Sequence, residues 1–185
     1  MNAGRYYGFH TKVEWDDELH GRIQTADGTE FIPILSKQIT GNEVKVYIHG
    51  GECWISREDI PKNVEAVDGY KVLLPRSGNP GSIIIGRPKI SEPGSCSSNT
   101  YVVAVCPDRN LSKDEATNML NYIKTKFFRF LVATKTTTQS MSLPAYTFVP
   151  LQDFTKPWTD EELYKKYNLD ENEIAFIESM IKPME

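Results

Sequence analysis

The sequence predicts an α+β fold: a mixed or antiparallel sheet packed on one long helix, with short C-terminal helices. Three observations carry this prediction. Short runs of alternating apolar and polar residues, bounded by turn formers, fill the chain as far as Cys106. A single capped stretch then repeats apolar residues at helical spacing. Two further helix-start signatures stand near the C-terminus.

Taken in order, Ile23-Gln24-Thr25, Ala26-Asp27-Gly28-Thr29 and Glu30-Phe31-Ile32 predict a hairpin turning at Asp-Gly. Val44-Lys45-Val46-Tyr47-Ile48 alternates as a half-buried strand does, and Gly50-Gly51 breaks it before Cys53-Trp54-Ile55. Residues 70–74, 82–85 and 101–106 follow as strands, two of them apolar enough to be central. Residues 87–99, rich in serine, proline and glycine, predict an exposed loop. Residues 112–134 predict the long helix. Ser112 and Glu115 form a capping box, and Ala116, Met119, Leu120, Ile123, Phe127 and Leu131 form the stripe. At about 1.5 Å per residue the helix spans about 30 Å. A polar segment, Lys135 to Ser140, leads to Pro144 and a short apolar run at 146–149. Thr159 with Glu162 and Asp170 with Glu173 open two brief helices, the second stopped by Pro183.

The composition, 39% hydrophobic and 25% charged over 185 residues, is that of a folded domain rather than a disordered chain. No apolar run approaches the roughly 20 residues of a membrane helix, and the N-terminus lacks the apolar core of a secretion signal. The expectation is therefore a cytoplasmic chain with no membrane partner. Cys53, Cys96 and Cys106 form no C-x-x-C pair, and Gly50-Gly51 breaks the helical spacing of His49 and Cys53, so no metal site is expected.

The formal charge of −4 conceals an uneven distribution. Residues 1–70 hold 7 basic and 12 acidic side chains, 71–150 hold 10 and 4, and 151–185 hold 4 and 9. This suggests a β-rich N-terminal part over 1–69, a basic core over 70–150 and an acidic helical segment over 151–185. A basic middle can place a positive stripe on an otherwise acidic molecule.

Phosphate-loop, dinucleotide, nucleophile-elbow and H-E-x-x-H patterns are all absent from the sequence. The nearest catalytic pattern is Asp27 followed by Glu43-Val44-Lys45, the layout of a Mg²⁺-dependent nuclease in which two carboxylates hold the metal beside a lysine. His20 with Cys53 or Cys106 lacks any residue to orient it. A binding surface is better provided for. Lys124, Lys126 and Arg129 lie on the long helix, and Lys135, Thr136, Thr137, Thr138 and Gln139 follow it. Arg76, Arg87 and Lys89 flank a glycine-rich turn. Lysines and hydroxyls serve phosphate contacts, while Arg and Gln read base edges. The same helical cations also suit a helix C-terminus by offsetting its dipole.

From Tyr70 onward several segments resemble one family. They are Tyr70-Lys71-Val72-Leu73-Leu74-Pro75-Arg76, Glu92-Pro93-Gly94-Ser95 with Thr100-Tyr101-Val102-Val103, and Asn121-Tyr122-Ile123-Lys124-Thr125-Lys126-Phe127-Phe128-Arg129-Phe130-Leu131. Thr138-Gln139 with Tyr146-Thr147-Phe148-Val149-Pro150 is similar to a following loop and strand, and Pro157-Trp158-Thr159-Asp160, Leu163-Tyr164-Lys165-Lys166-Tyr167 and Glu173-Ile174-Ala175-Phe176-Ile177-Glu178 to closing helices. The family is the restriction–modification adenine-specific (N6) DNA methyltransferases, in their C-terminal target-recognition region, including fused methylase/restriction enzymes. The resemblance implies a specificity part that binds double-stranded DNA and partners a methyltransferase domain, with or without a nuclease. S-adenosylmethionine and the Asn/Asp-Pro-Pro-Tyr/Phe motif would belong to that catalytic domain, since neither a cofactor-binding strand nor the motif occurs here. The expected DNA contacts are Arg76, Arg87, Lys124, Lys126, Arg129, Lys135, Thr138 and Gln139. Two other expectations stand beside this one: a nuclease using Asp27, Glu43 and Lys45, and a protein-interaction module binding a catalytic subunit through its acidic C-terminal helices.

Overall fold

A computed structural model describes residues 6–78, 84–106, 108–136, 141 and 143–184. The larger sheet contains β1 (Phe9–Trp15), β2 (His20–Thr25), β3 (Phe31–Leu35), β4 (Val44–Ile48), β5 (Gly51–Ile55) and β8 (Ser95–Ser97), in the order β1-β2-β3-β5-β4-β8. It is mixed, because β8 runs parallel to β4 while its other pairs are antiparallel. The smaller sheet, β7 (Lys89–Ser91), β6 (Lys71–Pro75) and β9 (Tyr101–Ala104), is antiparallel throughout.

The Asp-Gly hairpin forms between β2 and β3. Asp27 Oδ1 accepts from Thr25 Oγ1 (2.6 Å), Thr29 Oγ1 (2.8 Å) and Thr29 N (3.1 Å), and Gly28 takes the left-handed backbone (φ +79°) that its missing Cβ allows. Those donors hold the Asp27 carboxyl down at about 2.

The smaller sheet is apolar on both faces, and alternation along β6 and β9 explains how. Val72, Leu74, Val102 and Ala104 join a core with the helices, while Leu73 and Val103 join a second core under the larger sheet. Each such side chain contributes about 1.5–3 kcal/mol on burial. The two cores therefore share one three-stranded wall.

The predicted long helix is two helices, α1 (Lys113–Lys124) and α2 (Lys126–Lys135). Its N-terminus is as expected, with both bonds of the Ser112–Glu115 capping box formed. The break falls at Thr125, whose ψ of 152° is extended. Thr125 Oγ1 accepts from Phe128 N (3.1 Å), and the Asp160 carboxylate accepts from Lys126 N (3.0 Å) and Phe127 N (2.8 Å), so the first amides of α2 find partners outside the helix. On the other side of the break, Arg129 Nε donates to the carbonyls of Lys124 (3.1 Å) and Thr125 (3.2 Å). Ile123 and Phe127 keep a spacing of four across the break, which is why periodicity predicted one rod.

Three further expectations are corrected. Residues 87–99 are not an exposed loop: they supply β7 and β8, and Ser91, Ser95, Cys96, Ser97, Ser98 and Asn99 are buried. Some of the small hydroxyl residues satisfy one another there, as in the 2.7 Å contact between Ser91 Oγ and Ser95 Oγ, while the buried Ser97 Oγ has no hydrogen-bond partner among the described residues. Of the strand expected at 82–85, residues 82 and 83 lie outside the described residues, and Ile84 has a left-handed φ of 71° outside the nine strands. The 146–149 run forms no strand. It follows a short 3-10 helix, Leu143–Tyr146, whose Ala145 and Tyr146 bury against α2.

The chain closes with α3 (Asp160–Lys166) and α4 (Glu171–Met180), each with its predicted capping box. Among the described residues no helix is long and apolar enough to cross a membrane.

Candidate nucleic-acid interface

Backbone pairing brings four distant segments to one edge of the smaller sheet. Arg76, the residue after β6, donates its N–H to Thr100 O (2.9 Å) and accepts from Met141 N (2.7 Å). Its guanidinium reaches the Asn99 side-chain oxygen. Gly86 lies so close to this turn that a Cβ there would sit 2.8 Å from Pro75 Cβ, and its successor, Arg87, is exposed. Thr136, at the end of α2, donates through Oγ1 to Val132 O (2.7 Å) and approaches Met141 Sδ (3.9 Å). Thr136 and Met141 thus meet each other beside Arg76. Thr138 and Gln139 themselves lie outside the described residues.

Lys89 and Lys135 complete the set. The Lys89 ammonium lies 3.8 Å from the Tyr47 ring centre and 4.9 Å from that of Tyr101. Lys135 is exposed, 4.7 Å from the Phe148 ring centre. Ring faces attract and orient a cation without neutralising it. Among the described residues, none of Arg76, Arg87, Lys89 and Lys135 is ion-paired with a carboxylate. Lys89, already a candidate beside the glycine-rich turn, stands in β7, and its tyrosine partners come from β4 and β9.

The helical cations lie elsewhere and are differently engaged. Arg129 is 1% exposed, and besides its two helix-end carbonyls it donates through Nη1 to Lys182 O (2.7 Å). It is a buried brace, so the expected phosphate contact is corrected: the carbonyls at the Thr125 break and at Lys182 hold its guanidinium inside. Lys126 is ion-paired with Glu178, and Lys124 is half-buried in the last turn of α1.

The nuclease pattern does not assemble. Paired residues run Lys45, Trp54, Leu35, His20 across the larger sheet. His20 begins β2, and Asp27 lies beyond the opposite end, about 17 Å along the strand at 3.4 Å per residue. Each group is also occupied locally. Glu43 accepts from Thr40 N (3.0 Å) and Gly41 N (3.1 Å), and Lys45 binds Glu92 (3.2 Å) and Glu52 (3.6 Å). Among the described residues no cluster of His, Cys, Asp or Glu is arranged to hold a metal ion.

Cys53 and Cys96 face Val46 from opposite neighbouring strands. Two strand spacings of about 4.8 Å put their Cα atoms beyond disulfide reach. Burial pushes the Cys53 thiol up to about 12 and raises that of Cys96 further above its ordinary value. In a native-state titration with a thiol reagent at pH 8, Cys106, which is half-buried, is expected to react alone and the other two only after denaturation. Rapid reaction of all three thiols in the folded protein would contradict this burial.

Comparison with protein-family models, curated proteins and solved structures found no match to this chain.

Proposed function

We propose that the chain is a DNA target-recognition part of a restriction–modification adenine-specific methyltransferase, and that it meets duplex DNA at the Arg76–Arg87–Lys89–Lys135 edge. The carrying observation is the Met141–Arg76 backbone hydrogen bond, which holds Met141 at the end of the strand that bears Arg76. In this reading the four cations neutralise phosphates and fix register, and Thr138 and Gln139 meet bases. The methyl donor S-adenosylmethionine would be bound by a separate catalytic domain. Lys124 and Lys126 are left as secondary contacts, and Arg129 is removed from the interface by its burial.

The test is a salt titration of binding to a mixed-sequence fluorescent duplex. The Arg76→Ala/Arg87→Ala/Lys135→Ala variant is expected to bind more weakly on all sequences and to lose about 0.9 in log–log salt slope for each phosphate contact removed. An unchanged slope and affinity would falsify this interface. Asn99→Ala, which frees the Arg76 guanidinium from its support, is expected to give a smaller loss.

A further inference from the structure

The larger sheet is two three-stranded halves, β1-β2-β3 and β5-β4-β8, joined through the single residue pair Leu35↔Trp54. Toward the start of β3 the halves part. Phe31, Ile32 and Pro33 form one wall of the opening, and the segment after β5, from Glu58 to Lys62, forms the other. Two adjoining cavities of about 570 and 510 Å³ fill it, with Pro33, Glu58 and Asp59 common to both.

The β3 backbone facing this opening is an unpaired edge. Thr25 N donates to Glu30 O (2.9 Å), which fixes the antiparallel phase: residues 30, 32 and 34 turn their peptide groups toward β2, and 31 and 33 turn theirs to the opening. Pro33 has no N–H to present, so the edge offers the Phe31 N–H and the carbonyls of Phe31 and Pro33. Such an edge is a template for an added extended strand.

Charge selects the occupant. Asp27, Glu30, Glu43, Glu58 and Asp59 line the two cavities against one lysine, Lys62, and none of the five carboxylates is ion-paired among the described residues. Nucleic acid is repelled by this rim. We propose that the opening binds an extended, Lys/Arg-bearing segment of a partner protein. The segment pairs with the free edge of β3 and sets alternate cationic side chains against Glu30, Glu58 and Asp59. The proposal is independent of the DNA reading, which rests on other strands and on the opposite sign of charge.

The full chain, isotope-labelled, is titrated with a synthetic peptide of alternating lysine and valine, followed by amide NMR shifts and by fluorescence anisotropy. Shifts are expected at Phe31, Ile32 and Ile34 and along 58–62. Affinity is expected to fall about tenfold or more in Glu30→Gln/Glu58→Gln/Asp59→Asn, and by a similar factor when alternate peptide amides are N-methylated. The methylated peptide tests strand addition without altering the protein. Absence of shifts at Phe31, Ile32 and Ile34 at millimolar peptide overturns the proposal, and so does affinity indifferent to N-methylation, which is the mark of diffuse charge attraction.

Discussion

Arg129→Ala is expected to lower the free energy of unfolding by about 3–5 kcal/mol, a loss typical of breaking a buried charged hydrogen-bond set. The guanidinium is 1% exposed and donates to carbonyls from three places: the end of α1, the break residue Thr125 and Lys182 beyond α4. Alanine leaves those carbonyls without this donor and opens a cavity where α1, α2 and the C-terminal segment meet. Arg129→Lys keeps the charge but not the fork, so it rescues little. Lys126→Ala, three residues earlier, removes an ion pair whose Glu178 side chain is 42% exposed and is expected to cost at most about 1 kcal/mol. Urea denaturation at constant pH measures both. A loss below about 1 kcal/mol for Arg129→Ala would mean that the brace is not engaged, and would return this side chain to the list of possible DNA contacts.

Lys71→Met is expected to change how stability depends on pH. Lys71 is fully buried in β6, with Nζ donating to Gly69 O (2.8 Å) and nearer the limit to Glu92 O (3.5 Å). Burial lowers its pKa to about 8 from the ordinary 10.5, against the opposing pull of Cys96, Glu92 and Asp68. Between those values the unfolded chain holds the proton and the folded chain does not, so the contribution of this group to stability rises with pH. Methionine removes that rise. The stability of wild type relative to Lys71→Met is therefore expected to improve by up to about 3 kcal/mol from pH 7.5 to 10.5, at 1.36 kcal/mol per pH unit of displaced titration. The buried thiol of Cys53 acts in the opposite sense over the same range but is common to both proteins and cancels in the difference, whereas Cys96, whose thiol Lys71 itself pulls down, cancels only in part. A difference that stays flat across that range would show that Lys71 reaches water.

Elements whose signals are local were legible in the sequence. The three capping boxes, the Asp-Gly hairpin and the β4 alternation all depend on residues within one turn or one strand, and all formed. The helix break was not legible, because the carboxylate that caps α2 comes from Asp160, far along the chain. The serine-rich strands were hidden for the opposite reason: turn-forming residues become strand residues when a neighbouring strand and each other's hydroxyls satisfy them. For the candidate site, side-chain type alone marked Arg76, Arg87 and Lys135 but gave Arg129 the same standing. Only burial separates a cation that faces solvent from one that braces a helix junction.

The placement of β8 has a consequence for synthesis. Until residues 95–97 have left the ribosome, β4 carries an uncovered parallel edge, and the core beneath it lacks Cys96 and Val103. Five of the larger sheet's six strands thus emerge as a nascent chain with an open flank, whose closing contacts are all of long sequence separation. Slowing translation after β5 has emerged and before β8 has should prolong that state and raise the demand for holdase chaperones, whereas slowing it once β9 has emerged should not.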